Sequence, residues 1–408
     1  MRVLILGYKS VVDQAIDGLD FSRTTVTEMR KYPRVSRHAS DRARMLPCGD
    51  PSDVEAVLAA LARADAAPAE FDVVWGIDEF TVVPAAAVAA ALGRPAHLSL
   101  DVSLRFRDKE LQKRAVRAAG LPAARTAVVA RPEDLAAVPA RELPWPQVVK
   151  PMAGAGAADT HRADTREELE SRLALLLASA AAQGPFLVEE YVEGRELHLD
   201  GCVREGRLTA FGASRYLQNL LDIRTGGVTG SYTLDSGRHP ELYAEASRFA
   251  LSCLEALGMR DGIFHMEVFE GPHGLVFSEC AARGGGGMIT EAFEGRYGVN
   301  LLTEQGRAVA GLPAGEPTLD ERVFGQLSVR APAGIALAVP STEELLGRPG
   351  VLDGRVEIQA GEPLPAMANT AHRGGIALLA AEDEEAVAAR MRELQHWFND
   401  SVVVKVDV

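Results

Sequence analysis

Four cysteines, Cys48, Cys202, Cys253 and Cys280, are spread through 408 residues with no CxxC pair and no metal-ligand spacing. That excludes a disulfide framework and a cysteine-built zinc site, and it implies reduced thiols in a cytoplasmic compartment. Long apolar runs are missing as well. The Ala-rich stretch at 85–92 is too short to span a bilayer, and the opening MRVLILGYKSVVDQ reads as a first strand, not a signal peptide. Positive charge is in deficit, with 43 Lys and Arg against 57 Asp and Glu and a formal net charge of −14. This balance argues against unspecific binding to nucleic acid or an anionic membrane, but it leaves room for a local basic pocket. Two phosphate-binding signatures are also absent. The first strand is followed by GYKSVV instead of GxGxxG, and no GxxxxGK[ST] occurs, so neither a Rossmann dehydrogenase nor a P-loop protein is expected.

What is present is the composition of a globular chain, 47% apolar and 25% charged, long enough for two or three domains. RVLIL (2–6) and FDVVWGIDE (71–79) are strand-then-loop patterns, and a helix over 84–92 follows the second. They predict a parallel α/β sheet in roughly the first hundred residues. RDKELQKRAVRAAGLP (107–122) is a marked helix, with Asp108 as its cap, Gly120 as its left-handed end and Pro122 as its stop. PQVVKPMAGAGAADTHRA (146–163) reads as a strand ending in a small-residue loop, and TREELESRLALLLASAAA reads as a helix. Strands follow at 185–192, 196–203 and 207–214. The glycine-rich RYLQNLLDIRTGGVTGS reads as a loop with a mobile second half, and 225–231 is a candidate lid. From about residue 321 the pattern suggests a small terminal α+β module.

IFHMEVF and LVFSEC flank EGPHG, a segment rich in turn formers. A turn centred on Pro272 pairs Glu267 with Phe277 and His265 with Glu279. It makes Glu267 and Glu279 diagonal neighbours on one face, about 7–8 Å apart. An even-numbered loop would break that geometry. Two converging carboxylates either hold a divalent cation or face solvent and pair with arginines. Lys150 before MAGAGAA, taken alone, favours a solvated surface turn over a phosphate cradle. Arg283 and the glycines after it, Gly284 to Gly287, admit both an ion pair with Glu279 plus a plain turn and a catalytic reading.

In one order, Lys109 after RFRD, Lys150 before its small-residue loop, LVEEYVEGRE, HMEVF and FSECAARGGGG resemble the ATP-grasp superfamily of carboxylate–amine ligases over essentially the whole chain. ECAAR and HRGGIALLA are similar to the L-amino-acid ligase branch. The resemblance implies an α/β and α+β fold in three parts: an N-terminal parallel α/β domain (1–104), an ATP-grasp unit of two α+β subdomains (105–320) and a C-terminal ligase-type module (321–408). It implies that Lys109 and Lys150 contact ATP phosphates, Glu189 accepts from the adenine amino group, and Glu190, Tyr191 and Val192 form the hinge on the adenine edge. Glu196 would bind the ribose, Glu267 and Glu279 a Mg²⁺ (or Mn²⁺) ion, and Arg283 the transferring phosphate. Ala281 departs from the family's asparagine, a further metal ligand, and AGAGAADT lacks the loop serine.

The implied reaction is acyl-phosphate activation of a small carboxylic acid, an amino acid, followed by coupling to an amine, a second amino acid, with release of ADP and phosphate. Glu79, Arg215, Arg224, Gly285 and Gly286 are candidate substrate contacts, and His265 is a candidate packing or supporting residue on the metal face. Small molecules are the expected partners, with no nucleic acid and no membrane. A homodimer is open, since no apolar stripe compels one. The alternatives are an ATP-grasp carboxylase or purine-pathway-type ligase, and a catalytically silent ATP-binding sensor.

Overall fold

The computed structural model describes residues 1–408 except 29–42, 132, 135–142, 155, 157–158, 179–184, 226–227, 366–372 and 406–408. Its first sheet is parallel and joins β1 (Arg2–Leu6), β2 (Ser22–Thr27), β3 (Ala43–Pro47) and β4 (Val73–Gly76) in the order β3-β2-β1-β4. The apolar runs that form β1 and β4 are buried on both faces, as a parallel sheet covered by helices requires. The carboxyl ends of these two strands deliver Lys9, Asp78 and Glu79 to one rim, where ligands of open α/β sheets collect.

A second sheet is antiparallel, β5 (Thr126–Val129), β6 (Gln147–Pro151), β7 (His161–Ala163) and β8 (Phe186–Glu190), in the order β5-β8-β6-β7. The helix before it, Lys109–Ala118, starts where expected, because the Asp108 carboxylate accepts from the backbone N–H of Glu110 and Leu111. Gly120 has φ +78, the left-handed ending read from the sequence. A separate helix, Leu100–Arg107, precedes that cap.

The largest sheet takes β9 (Arg195–Arg204), β10 (Arg207–Tyr216), β11 (Thr229–Thr233), β12 (Gly262–Gly271), β13 (Gly274–Ala281) and β14 (Val323–Val329) from the chain in order. Beyond a short β15 (Gly334–Ala338) it adds β16 (Val351–Val356). After β17 (Pro363–Leu364) it adds β18 (Gly375–Ala381). The strand order is β13-β12-β9-β10-β11-β14-β18-β16, while β15 and β17 pair with a final β19 (Val403–Lys405) in a small sheet.

One expectation is corrected here. Residues 229–231, read as part of a lid, are the start of β11, an interior strand held between β10 and β14. Their glycine content misled the reading, since Gly230 is needed where Met391 and Leu327 press close. The terminal segment has a core of its own, in which Leu327, Leu345, Leu379 and Met391 are buried together, and it also extends the main sheet. β14, β18 and β16 continue the main sheet, and Phe324, Ile376 and Leu378 share a core with Met288 and Ala292. Among the described residues no helix is long and apolar enough to cross a membrane.

Candidate active site

Alternation along the strands places every second side chain of the main sheet on the face that lines a cleft. The pairing register reads across it as Glu279, Glu267, His198 and Ser214, each opposite the next on β13, β12, β9 and β10. One pair further along, Tyr216, Ser231 and Gln326 are successive partners on β10, β11 and β14. A polar row therefore crosses six strands of an otherwise apolar sheet.

The hairpin reaches this face by a different route from the expected one. The turn contains only Pro272 and His273, so Val268 pairs with Phe277. A two-residue loop by itself would send Glu279 to the opposite face from Glu267. A bulge adds Ser278 to β13 between the two pairs, and Glu267 then lies directly opposite Glu279. The predicted convergence of the two glutamates holds; the diagonal pairing and the partnership of His265 with Glu279 do not, because His265 pairs with Ala281.

Charge is concentrated above this row. Lys109 Nζ lies 2.9 Å from Glu279 Oε2 and 3.1 Å from the Gly154 carbonyl of the small-residue loop. Lys150 Nζ lies 2.7 Å from Glu189 Oε1, and Lys113 Nζ lies 3.0 Å from Glu189 Oε2. Burial opposes ionisation of Glu279, but Lys109 and Lys150 outweigh it and bring its carboxyl down to about 2. Burial lowers the Lys113 ammonium to about 8 despite Glu189. Burial likewise works against the Lys150 charge, but Glu189 and Glu279 leave it above its ordinary value.

Glu267 is less well compensated. It accepts from the Tyr216 hydroxyl at 3.1 Å and has His265 Nε2 at 3.6 Å. Neighbouring Glu196 is raised to about 8, by burial first and by Glu267 second. A buried set of carboxylate oxygens short of positive charge fits a hard divalent cation at Glu267 and Glu279. Ala281 contributes no side-chain oxygen to it. Below, His265 Nδ1 and His198 Nδ1 meet the two oxygens of Asp200 at 2.8 and 2.5 Å. Burial disfavours the His265 charge, yet Asp200 and then Glu267 raise it to about 10.

The cleft is lined by Lys109, Lys150, Glu189, Glu190, Tyr191, Val192, Glu196, Glu267, Glu279, Arg283 and Gly286 among the residues singled out from the sequence. Glu189 has both oxygens engaged by lysines, so its evident work is to hold Lys113 and Lys150 in place. Arg125 holds the Glu190 carboxylate, which leaves the backbone of 190–192 facing the cleft. Arg283 is not paired with Glu279. Its Nε donates to Glu79 Oε2 at 3.0 Å across 204 residues, and Arg107 lies 3.5 Å from the same carboxylate. Glu79 thus reaches Arg283 and does not line the cleft. Arg215 points to the opposite face and pairs with Glu270. Gly285 packs on Ile289 away from the lining, and the Arg224 side chain lies outside the described residues.

Sequence reasoning missed Lys113, Tyr216, Asn219, Gln326 and Arg373, which all line the cleft. Lys113 left a signal, since it stands one turn after Lys109 on the same helical face, and Arg373 lies within the HRGGIALLA stretch. Asn219 accepts from Glu196 N and donates to Gly194 O, and Leu220 N donates to Glu196 Oε2, which fixes the Glu196 carboxylate.

No family model matches the chain. Among curated proteins it is 29% identical over 205 residues to the L-arginine-specific L-amino acid ligase of Bacillus subtilis, covering 49% of each chain. The chain spans about half the length, or less, of the curated relatives it matches. Among solved structures it superposes on an L-amino acid ligase from Bacillus licheniformis with TM-score 0.75, at 18% identity, over 100% of this chain and 99% of that one. The chain has the ATP-grasp ligase fold. An ATP complex of carboxyaminoimidazole ribonucleotide synthase from Aspergillus clavatus has the same fold, with TM-score 0.72 and 16% identity over 98% of this chain and 99% of that one. The ATP-grasp fold accounts for the antiparallel sheet with its small-residue loop standing over the main sheet, and for the cleft between them.

Proposed function

We propose that this protein is an ATP-dependent ligase that activates a small carboxylic acid, an amino acid, as an acyl phosphate and couples it to the amine of a second amino acid. The observation that carries the proposal is the convergence of Glu267 and Glu279, face to face on adjacent strands, with Lys109, Lys150 and Arg283 in one cleft. Phosphoryl transfer asks a protein chiefly for positioning and for positive charge around the moving group. Lys109 and Lys150 supply that charge beside the small-residue loop, and the backbone of 190–192 presents polar groups to the nucleotide's base. Glu267 and Glu279 would hold Mg²⁺, which when bound neutralises phosphate charge. Arg283, oriented by Glu79, faces the carboxylate oxygen that receives the γ-phosphoryl group. The amine then forms its bond to the acyl carbon, phosphate leaves and the amine loses a proton. Small molecules are the expected partners and the cytoplasm the expected compartment, in keeping with four free cysteines.

The test is ADP release from MgATP with amino acids singly and in pairs, with products weighed by mass spectrometry. A product lighter than the sum of two amino acids by one water establishes the reaction. Turnover with bicarbonate alone would transfer the reading to a carboxylase. Glu279→Gln should abolish ADP release; an unchanged ATP-dependent response in that variant would favour a sensor.

A further inference from the structure

The glycine loop after Arg283 faces a side chain that neither the sequence nor the nucleotide half of the cleft accounts for. Gln326 on β14 is 5% exposed and lines the cleft, and among the described residues its Oε1 has no hydrogen-bond partner. Buried amide oxygens are ordinarily satisfied, so an orphan acceptor at a cleft wall marks a place for a donor from outside the chain.

The network beneath it decides which end of the amide faces the cleft. Asp200 has both oxygens taken by imidazole Nδ1 atoms. A neutral imidazole that donates from Nδ1 offers Nε2 as acceptor, and His198 Nε2 lies 2.8 Å from Ser231 Oγ. The Ser231 hydroxyl therefore donates to His198 and keeps only lone pairs for its other neighbour. That neighbour is Gln326 Nε2 at 3.2 Å. The amide nitrogen is committed to the sheet, and the oxygen is turned towards the Gly287 backbone. Gly287 makes the space: its φ is +66, and a Cβ there would stand 2.6 Å from Gln326 Oε1. No residue with a side chain fits both the backbone angle and the contact.

We propose that Gln326 Oε1 is the acceptor that orients the attacking amine, taking one N–H so that the nitrogen lone pair points at the acyl carbon beside Arg283. This rests on the ligase reading above. The choice of the amine over the amino group of the activated acid follows from charge. An amine that attacks must be neutral, and a carboxylate partner would favour its protonated form, which has no lone pair. A neutral carbonyl holds the N–H without that penalty.

Steady-state kinetics of Gln326→Leu and Gln326→Glu test this, with melting and MgATP-induced thermal shifts confirming that each variant folds. Gln326→Leu should raise KM for the amine about tenfold, with KM for ATP and for the acid moving less than about twofold. Gln326→Glu should lower kcat/KM for the amine near neutral pH and recover as pH rises, because the new carboxylate stabilises the ammonium. A shift in KM of the acid in place of the amine, or an unmoved pH profile in Gln326→Glu, overturns the assignment while leaving the ligase reading intact. Failure of the wild-type protein to release ADP with any acid and amine removes the ligase reading, and this assignment falls with it.

Discussion

At the scale of the residue, buried ionisable groups have distinct jobs. Lys113 and Glu189 are deep in the protein, and each makes sense only through the other: the carboxylate keeps two lysines charged where burial would discharge them. His97 lacks such support. Burial drops its pKa to about 4, and its Nε2 is buried with no hydrogen-bond partner among the described residues. The unfolded chain takes up this proton near 6.5, so between about 4 and 6.5 the unfolded state binds more protons. Stability from this group is fully present above 6.5 and is lost as pH falls towards 4. A shift of that size corresponds to at most roughly 3 kcal/mol, and a ring that keeps some contact with water delivers less, on the order of 2 kcal/mol. Denaturant titrations of His97→Asn against wild type should show a flatter stability profile between pH 4 and pH 6.5. Parallel profiles would show that His97 is not the group responsible.

At the scale of the element, the bulge in β13 absorbs one extra residue and keeps the site on one face. Side chains in a strand alternate with period two, so a slip of one residue moves the whole set to the other face. The bulge at Ser278 keeps Glu279 on the face of Glu267 after a two-residue turn. Deleting Ser278 removes the bulge and makes Glu279 the residue after Phe277, so regular pairing keeps it opposite Glu267. MgATP affinity of the deletion variant, measured by calorimetry, should stay within about threefold of wild type. A loss of about tenfold or more would show that the bulge itself, beyond the face on which Glu279 lies, shapes the site. The same strand logic places Arg373 just before β18, with Nε and Nη2 held by Glu357 and the side chain lining the cleft.

At the scale of the whole molecule, the last ninety or so residues complete a sheet begun near residue 195. Removing 321–408 would strip β14 from β11 and expose Met288 and Ala292, which pack on Phe324 and Leu378. A chain ending at 320 should therefore aggregate or bind hydrophobic dye and show no cooperative melting transition, since an unpaired interior strand becomes an open edge. A cooperative transition at the wild-type temperature would show that the sheet closes without the terminal strands. Across the opposite seam, Arg283 and Glu79 tie the parallel N-terminal sheet to the main one.

The sequence by itself determined the local features: the Asp108 cap and Gly120 ending, the strands around Lys150 and Glu189, and the two glutamates converging on one hairpin. These depend on residue type and short spacing, which the chain states directly. The tertiary structure alone decided which partners those residues have. Arg283 meets Glu79 from 204 positions away, Lys113 shares Glu189 with Lys150, and β11 and β14 come together so that Ser231 can aim Gln326 at Gly287. Strand order across eight strands is set by long-range packing of apolar faces. No spacing within the chain records that order, and the polar row that it assembles carries the proposed chemistry.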